Sequence, residues 1–445
     1  MKRYEAYKPS GTAWFTSVPE PWNILKINAL FSQRKEKVSD KDFAPISVTK
    51  NGIMPQLETA AKTDDGDNRK KVCVGDFVIN SRSDRKGSCG VSPFDGSVSL
   101  INIVLQPRQE LNGRYAHYLL RSQPFSEEFY RNGRGIVADL WTTRYSEMKN
   151  ILLPVPPRNE QDQIVRYLDW QVSKINRLIA AKRKQITVLQ EQLKHCISDA
   201  VFRGISDDII LKDSGVEWIG TIPEHWSVIR CKYVFAERDE RSIAGEEEHL
   251  SMSQKYGLVP DAKLDERRML SESYAGGKIC YKDDLVLNRL KAHLGVFALS
   301  PQKGVVSPDY TVLVPNTERI LPAYGEAALK SDLCRRELRI RVRGIIEGFW
   351  RLYTDDFNTV VIPLPPLKEQ EQIMEYLNTL NGKFTALKQN LEQEIATLQD
   401  LRTRLISDVV TGQMDVRSIE VPEFEYVGEV MEANEVELED SEEVD

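Results

Sequence analysis

Paired cysteines are missing from this chain of 445 residues. Its six cysteines (Cys73, Cys89, Cys196, Cys231, Cys280 and Cys334) are scattered. No C-x-x-C spacing occurs, so neither a zinc site nor a disulfide framework is written in the pattern, and buried reduced thiols are expected. The five histidines (His117, His195, His225, His249, His293) make no metal-ligand spacing. No apolar run approaches the ~20 residues that cross a bilayer. The opening "MKRYEAYKPSGTAWF" has no apolar segment of the secretory kind, so no membrane is expected as a partner and the cytoplasm is the expected compartment. Basic residues are missing after Arg417, where twelve acidic ones stand. Setting that stretch aside turns the net charge of −7 into +5. The body is therefore mildly basic and compatible with a phosphate-binding face. Residues 417–445 read as an acidic disordered tail, solvated or competing with an anionic ligand for that face.

Catalytic motifs are missing too. "SPDYT" (307–311) and "SPFDG" (92–96) approach the D/N/S-P-P-Y/F/W motif of adenine methyltransferases but lack its second proline. "YAGGKIC" (274–280) has Gly-Lys without the earlier glycine of a P-loop. Asp309 with Glu318 is an unconvincing nuclease pair and reads as solvated surface charge. No catalytic constellation is found.

What is present is a repeat. "LPVPPRNEQDQIVRYL" (153–168) returns as "IPLPPLKEQEQIMEYL" (362–377), with nine identities at a constant offset of 209. "VPEPWNILKINALF" (18–31) matches "IPEHWSVIRCKYVF" (222–235), "TKNGIMP" (49–55) matches "QKYGLVP" (254–260), "GDFVINSR" (75–82) matches "DDLVLNRL" (283–290), and "RGIVADLW" (134–141) matches "RGIIEGFW" (343–350). The chain is thus two related units of about 205 residues, a scaffold used twice with differing sequence between the matched motifs. Short β-rich runs ("KVCVGDFVIN", "VSLINIVLQP", "YTVLVP") and helical stretches ("YAHYLLRSQPFSEEFYR", "YGEAALKSDLCRRELR") make each unit mixed β and α.

Each repeated motif opens a long helix. The double proline ends an extended stretch, Asn159 is placed as the N-cap of the first copy, and acidic residues follow at the positive helix end. Val172, Ile175, Ile179, Ile186, Leu189, Leu193, Cys196 and Ala200 recur at steps of three and four, with Lys182 in the missing seam position. Phe384, Leu391, Leu398 and Leu405 are seven apart, with Leu387, Ile395 and Leu401 nearby. Such sustained heptads predict coiled-coil helices, each ~60 Å long at 1.5 Å per residue. Antiparallel pairing of the two is expected from a pseudo-two-fold repeat.

These residues resemble the specificity subunits of type I restriction-modification systems. The resemblance is carried by the paired P-x-P-P…E-Q motifs, by "GVEWIGTIPEHWSV", and by "LISDVVTGQMDV" (405–416) with "CISDAVFRGI" (196–205), and covers residues 10–416. It implies an α+β chain in which two mixed α/β target recognition domains are joined by two long antiparallel coiled-coil helices. The segments are 1–157, the first recognition domain; 158–205, the first helix; 206–366, the second recognition domain; and 367–416, the second helix. It further implies a non-catalytic subunit that binds a bipartite site in double-stranded DNA. Two modification subunits would methylate adenine with S-adenosylmethionine, and restriction subunits using ATP and Mg can join. No cofactor or metal is expected on this chain itself. A non-catalytic coiled-coil scaffold that binds only proteins is the other reading.

Loops on a rigid scaffold carry recognition, and three places in each unit are candidates for DNA contact. The first is Lys50 and Asn51, or Gln254, Lys255 and Tyr256. The second is Ser81, Arg82, Arg85 and Lys86, or Arg289, Lys291 and His293. The third is Arg134, Thr142, Thr143 and Arg144, or Arg343, Arg351 and Tyr353. Arginine can grip guanine through two hydrogen bonds, and lysine is more often a phosphate contact. A solvated role is the even alternative for any one arginine. Trp141 and Trp350 match between units and read as shared core. Arg166, Lys174, Lys184, Gln190, Lys388 and Gln399 lie on polar helix faces that either meet partner subunits or are solvated.

Overall fold

A computed structural model describes residues 2–56, 66–108, 111–135, 141–206, 208–253, 256–261, 274–344 and 350–428. The chain divides into two compact units that do not follow the order of the sequence: residues 1–183 with 392–445, and residues 184–391. Each unit holds one globular part, the first half of the helix that follows it, and the last half of the other long helix. The two helices run Arg158–Arg203 and Leu367–Val410.

The central sheet of the first unit orders Cys89–Val91, Phe77–Asn80, Asn102–Pro107 and Phe31–Gln33, all antiparallel. The second unit repeats it with Phe297–Leu299, Leu285–Asn288, Tyr310–Pro315 and Phe235–Arg238. The strands Phe77–Asn80 and Leu285–Asn288 read as almost unbroken apolar runs because both faces are covered. An arginine at the end of the edge strand clasps the carboxylate just before this central strand. Arg34 Nε lies 2.6 Å from Asp76, and Arg238 Nε 2.9 Å from Asp284. The hydrogen bond to the carboxylate, the largest cause, raises both guanidinium pKa values.

Beyond the sheet stand two short helices, Gly113–Arg121 and Gln123–Arg131, repeated as Pro322–Lys330 and Asp332–Arg341. The sequence reads each pair as one helical stretch. A serine breaks it: Ser122 Oγ donates to Leu119 O and Ser331 Oγ to Ala328 O, both at 2.7 Å. A side chain that satisfies the preceding carbonyl offers the backbone an alternative to helix.

The repeated motif now has a physical account. Pro154 and Pro363 lie in two-stranded ladders (Leu152–Val155 on Asn23–Lys26; Val361–Leu364 on Ser227–Arg230), where the missing N–H faces no second strand. The helix begins at Arg158, with Pro157 O accepting from Glu160 N and Gln161 N. Asn159 is therefore inside the first turn and not the N-cap. Gln161 is buried, and its amide ties three segments: Nε2 donates to Pro156 O at 3.0 Å and Oε1 accepts from Asn112 N at 2.8 Å. Gln370 repeats this with Pro365 O at 2.9 Å, Arg319 O at 3.0 Å and Leu321 N at 2.7 Å. Glu160 accepts from buried Trp22 Nε1 at 2.9 Å, and Glu369 from Trp226 Nε1 at 3.0 Å.

In the first unit the long helices run antiparallel. Lys182 Nζ meets Glu394 at 2.5 Å, which supplies a partner for the seam lysine, and Arg402 Nη1 donates to Asn176 Oδ1 at 2.9 Å. The far end of the second helix closes this unit's core: Tyr115 OH donates to Pro154 O at 2.9 Å and reaches Val410 O at 3.2 Å. The second unit makes the same closure with Tyr324 OH, Val201 O at 3.0 Å and Pro363 O at 3.2 Å. Every one of these positions is displaced by 209. Val172, Ile175, Ile179 and Ile395 are buried on the seam. Leu387 and Leu401 are instead half exposed, as are Leu178 and Val188, because a paired helix buries only one stripe.

Residues 417–428, read from sequence as the start of a free tail, lie along the first helix. Val427 N donates to Ser173 Oγ at 3.0 Å, Asn176 Nδ2 donates to Val427 O at 3.0 Å, and Arg177 Nη2 donates to Glu425 O at 2.8 Å. Residues 429–445 lie outside the described residues.

Candidate nucleic-acid interface

In the first unit the three predicted places converge at the end of the buried strand Phe77–Asn80. Asn80 Oδ1 accepts from Arg82 N at 3.0 Å, which turns the chain into the short 3₁₀ segment Ser83–Arg85, and Asn80 N returns to Ser88 O. Thr143 N donates to Ser81 O at 2.9 Å, and Arg134 and Thr142 exchange two backbone bonds at 3.0 Å. Thr143 Oγ1 donates to Phe129 O at 2.9 Å. The loops carrying Ser81–Lys86 and Thr142–Arg144 are thereby fastened side by side. Lys50 and Asn51 form the tip of the hairpin Ile46–Thr49/Gly52–Pro55, and Gly52 takes a φ of +117° that glycine adopts freely.

Arg82, Arg85, Arg134 and Arg144 are exposed. Among the described residues, no carboxylate lies within ion-pair distance of these four guanidinium groups. Lys86 reaches Glu127 at 2.6 Å and lies over the Tyr130 ring. Trp141, read as core, is half-buried, stacks on Tyr130 and donates to Tyr130 O at 2.9 Å.

Sequence reasoning missed Arg121. It ends the first short helix, donates from Nη2 to Lys50 O at 2.6 Å, and lines the same depression as Ser81, Arg82, Lys86 and Trp141. It joins the hairpin tip to the other loops. Its Nη1 lies 3.1 Å from His117 Nε2. Burial, then the charges of Arg121 and Arg114, push His117 down to about 3, so it stays neutral at physiological pH. No motif announced either residue, since both act through the fold.

The second unit builds the same frame with different side chains. Asn288 Oδ1 accepts from Leu290 N and Lys291 N, Leu352 N donates to Arg289 O at 3.0 Å, and Arg343 and Arg351 exchange backbone bonds. Tyr256, at the hairpin tip, and Tyr353 are exposed. Lys291 is exposed in the turn that leads into the 3₁₀ segment Ala292–Leu294, which includes His293. Gln254 and Lys255 lie outside the described residues.

The arginines here are held. Arg289 Nε donates to Asp309 O at 2.6 Å and Nη2 to Asp309 Oδ1 at 2.9 Å, Arg351 Nη2 lies 3.4 Å from Asp309 Oδ2, and Arg343 pairs with Asp356. Asp309 is thus a partner of two arginines, not the solvated charge that the sequence implied.

Among the described residues no group of three His, Cys, Asp or Glu side chains could hold a metal ion, and no helix is long and apolar enough to cross a membrane. The arrangement offers cationic and hydrogen-bonding side chains on fastened loops, a form suited to an anionic polymer with readable edges.

A family model described as "Type I restriction modification DNA specificity domain" matches residues 264–397. The chain is 23% identical over 423 residues to the type I restriction enzyme MjaVIII specificity subunit of Methanocaldococcus jannaschii, covering 90% of this chain and 95% of that one. It is 20% identical over 367 residues to the type I restriction enzyme EcoKI specificity subunit of Escherichia coli K12, covering 78% and 76%. Its fold is like that of a chain in a solved structure described as showing assembly and conformational transition of the type I R-M system. The TM-score is 0.60 at 16% identity, covering 89% of this chain and 99% of that one.

Proposed function

From a chain that belongs to the type I restriction-modification specificity subunits, we infer a DNA reader that performs no chemistry itself. Each globular part reads one half of a bipartite site in double-stranded DNA. The two long helices set the distance between the halves. At 46 residues and 1.5 Å each, the first is about 69 Å long, about two turns of B-DNA. Two modification subunits dock on the helices, where Leu178, Val188, Leu387 and Leu401 offer apolar contacts beside the polar faces. Those subunits bring S-adenosylmethionine and methylate adenine. Restriction subunits that use ATP and Mg join the same complex, and the assembly works in the cytoplasm.

The observation that carries this reading is one backbone frame bearing two different sets of side chains. Unlike units on a common scaffold are what two unlike half-sites require. Linking them also raises effective concentration, so two weak contacts make one selective one.

The test is methylome sequencing of a methylation-free host that expresses this chain with its modification subunit, against that subunit alone. A new split motif, modified in both halves only when this chain is present, is expected. A purified complex whose affinity for duplex does not fall with salt sinks the reading, because phosphate neutralisation releases counter-ions. The protein-only scaffold would then stand.

A further inference from the structure

We propose that Asp309 is a positioning residue that sets Arg289, beside Arg351, as a guanine-reading fork in the second unit. The proposal rests on the chain being a DNA-specificity subunit.

Strand register defines the equivalent positions. Asn80 faces Asn102 and Asn288 faces Tyr310. Ser81 therefore corresponds to Arg289, and Ile101 to Asp309. The paired bridges Arg134↔Thr142 and Arg343↔Arg351 match Thr142 to Arg351. The backbone around the trio is the same in both units, down to the bond that the residue after Thr142 or Arg351 gives to Ser81 O or Arg289 O. On this constant frame the first unit carries Ser81, Ile101 and Thr142, and the second carries Arg289, Asp309 and Arg351. The trio is a variable insert in an invariant mount.

The geometry of the insert is specific. Asp309 uses its backbone carbonyl and one carboxylate oxygen on the Nε and Nη2 groups of Arg289. That consumes one edge of the guanidinium. The end-on edge, with one Nη1 proton and the second Nη2 proton, remains. It presents two parallel N–H groups, the pattern that matches the O6 and N7 acceptors of guanine in the major groove. Adenine offers one acceptor and one donor there, so the same fork loses a bond. The other carboxylate oxygen faces Arg351. One carboxylate between two guanidinium groups leaves a net positive charge, so the cluster still attracts DNA.

The groups can be reached. Side-chain exposure is 24% for Arg289 and 42% for Arg351. The mount is also stiff: Ser307 Oγ accepts from Asp309 N and Ser307 O from Tyr310 N. An arginine held in its contacting rotamer before binding loses little freedom on contact.

The test uses the complex of the full chain with its modification subunits and duplexes bearing its recognised site. Every base pair of each half is substituted in turn, and binding is measured at constant salt. The wild type is expected to prefer G·C at one position of the second half-site by about 10- to 100-fold. Asp309→Asn keeps the shape and removes the charge. It is expected to lower that preference about tenfold, leaving every position of the first half-site unchanged. Arg289→Lys keeps the charge and removes the fork, and is expected to erase the same preference while affinity for unrelated duplex persists. The proposal is overturned if Asp309→Asn tightens all duplexes alike with the preference intact, or if Arg289→Lys retains it. It is also overturned if the affected position prefers a base pair other than G·C. A wild-type complex with no preference at any position instead removes the parent reading.

Discussion

The two units are closed by different parts of the chain. The core around Tyr324 receives Val201 from the helix that directly precedes the second globular part, whereas the core around Tyr115 receives Val410 from about three hundred residues downstream. The contacts are the same atom for atom, yet one unit is nearly continuous in sequence and the other depends on the far end of the chain. Topology alone therefore makes the first unit vulnerable where the second is not.

The largest effect follows from that asymmetry. A chain ended at residue 408 loses Val409, Val410, Met414 and Val416, all buried in the first unit's core. At ~1.5–3 kcal/mol per side chain, the loss is about 6–12 kcal/mol, comparable with the whole stability of a domain. Hydrogen exchange read by peptide mass should show the first unit unprotected and residues 210–360 still protected. Equal loss of protection in both would break the comparison.

Next come the two buried glutamines, where the units should behave alike. Gln161→Leu strands Asn112 N and Pro156 O; Gln370→Leu strands Leu321 N, Arg319 O and Pro365 O. Each leaves buried polar groups unpaired at a cost of about 2–4 kcal/mol, confined to its own unit in a denaturant series followed by exchange. A strongly unequal pair of costs would show that the repeated motif does different work in its two copies.

Acid should separate the units again. His117 is pushed down to about 3 in the folded first unit, and Glu326, paired with Lys330, stands in its place in the second. Between about pH 6.5 and pH 3 the unfolded chain binds a proton at His117 that the folded chain refuses, so stability falls as pH falls through that window. By pH 4 the loss is about 3 kcal/mol. Exchange at pH 7 and pH 4.5 should show extra opening of the first unit, and His117→Gln should abolish the excess. An excess that survives His117→Gln places its source elsewhere.

Much of this was legible from residue identity. The repeat, the mixed units, the antiparallel helices and the three loop regions rest on patterns of spacing, which a sequence displays directly. What stayed hidden depends on partners far apart in sequence. Asp309 looked solvated because its two arginines are 20 and 42 residues away, and Arg121 was invisible because its importance lies in bridging Lys50 to the neighbouring loops. The heptad reading placed Leu387 and Leu401 near the seam, and their half exposure follows from a stripe narrower than the apolar set. The helix break at Ser122 and Ser331 turned on a side-chain hydrogen bond that propensity does not register.

The smallest effect concerns the segment after Arg417, which has no counterpart in the second unit. In the first unit it is held by Ser173, Asn176, Arg177 and Arg114, the last stacked on Tyr426. Displaced by 209, these positions are Gly382, Thr385, Ala386 and Ala323, which offer neither the charge nor most of the hydrogen bonds. The clasp is thus written only where the segment lies. Two of its hydrogen bonds, on Ser173 and Asn176, are part-buried and the one on Arg177 is exposed. Removing the segment returns these groups to water, so ending the chain at residue 417 should cost about 1–2 kcal/mol. The change should be local, with faster exchange at residues 170–178 and none at 379–387. Unchanged exchange at 170–178 would mean that the four residues hold nothing in solution. The asymmetry between the units would then reduce to the origin of their closing helices and the side chains on their shared frame.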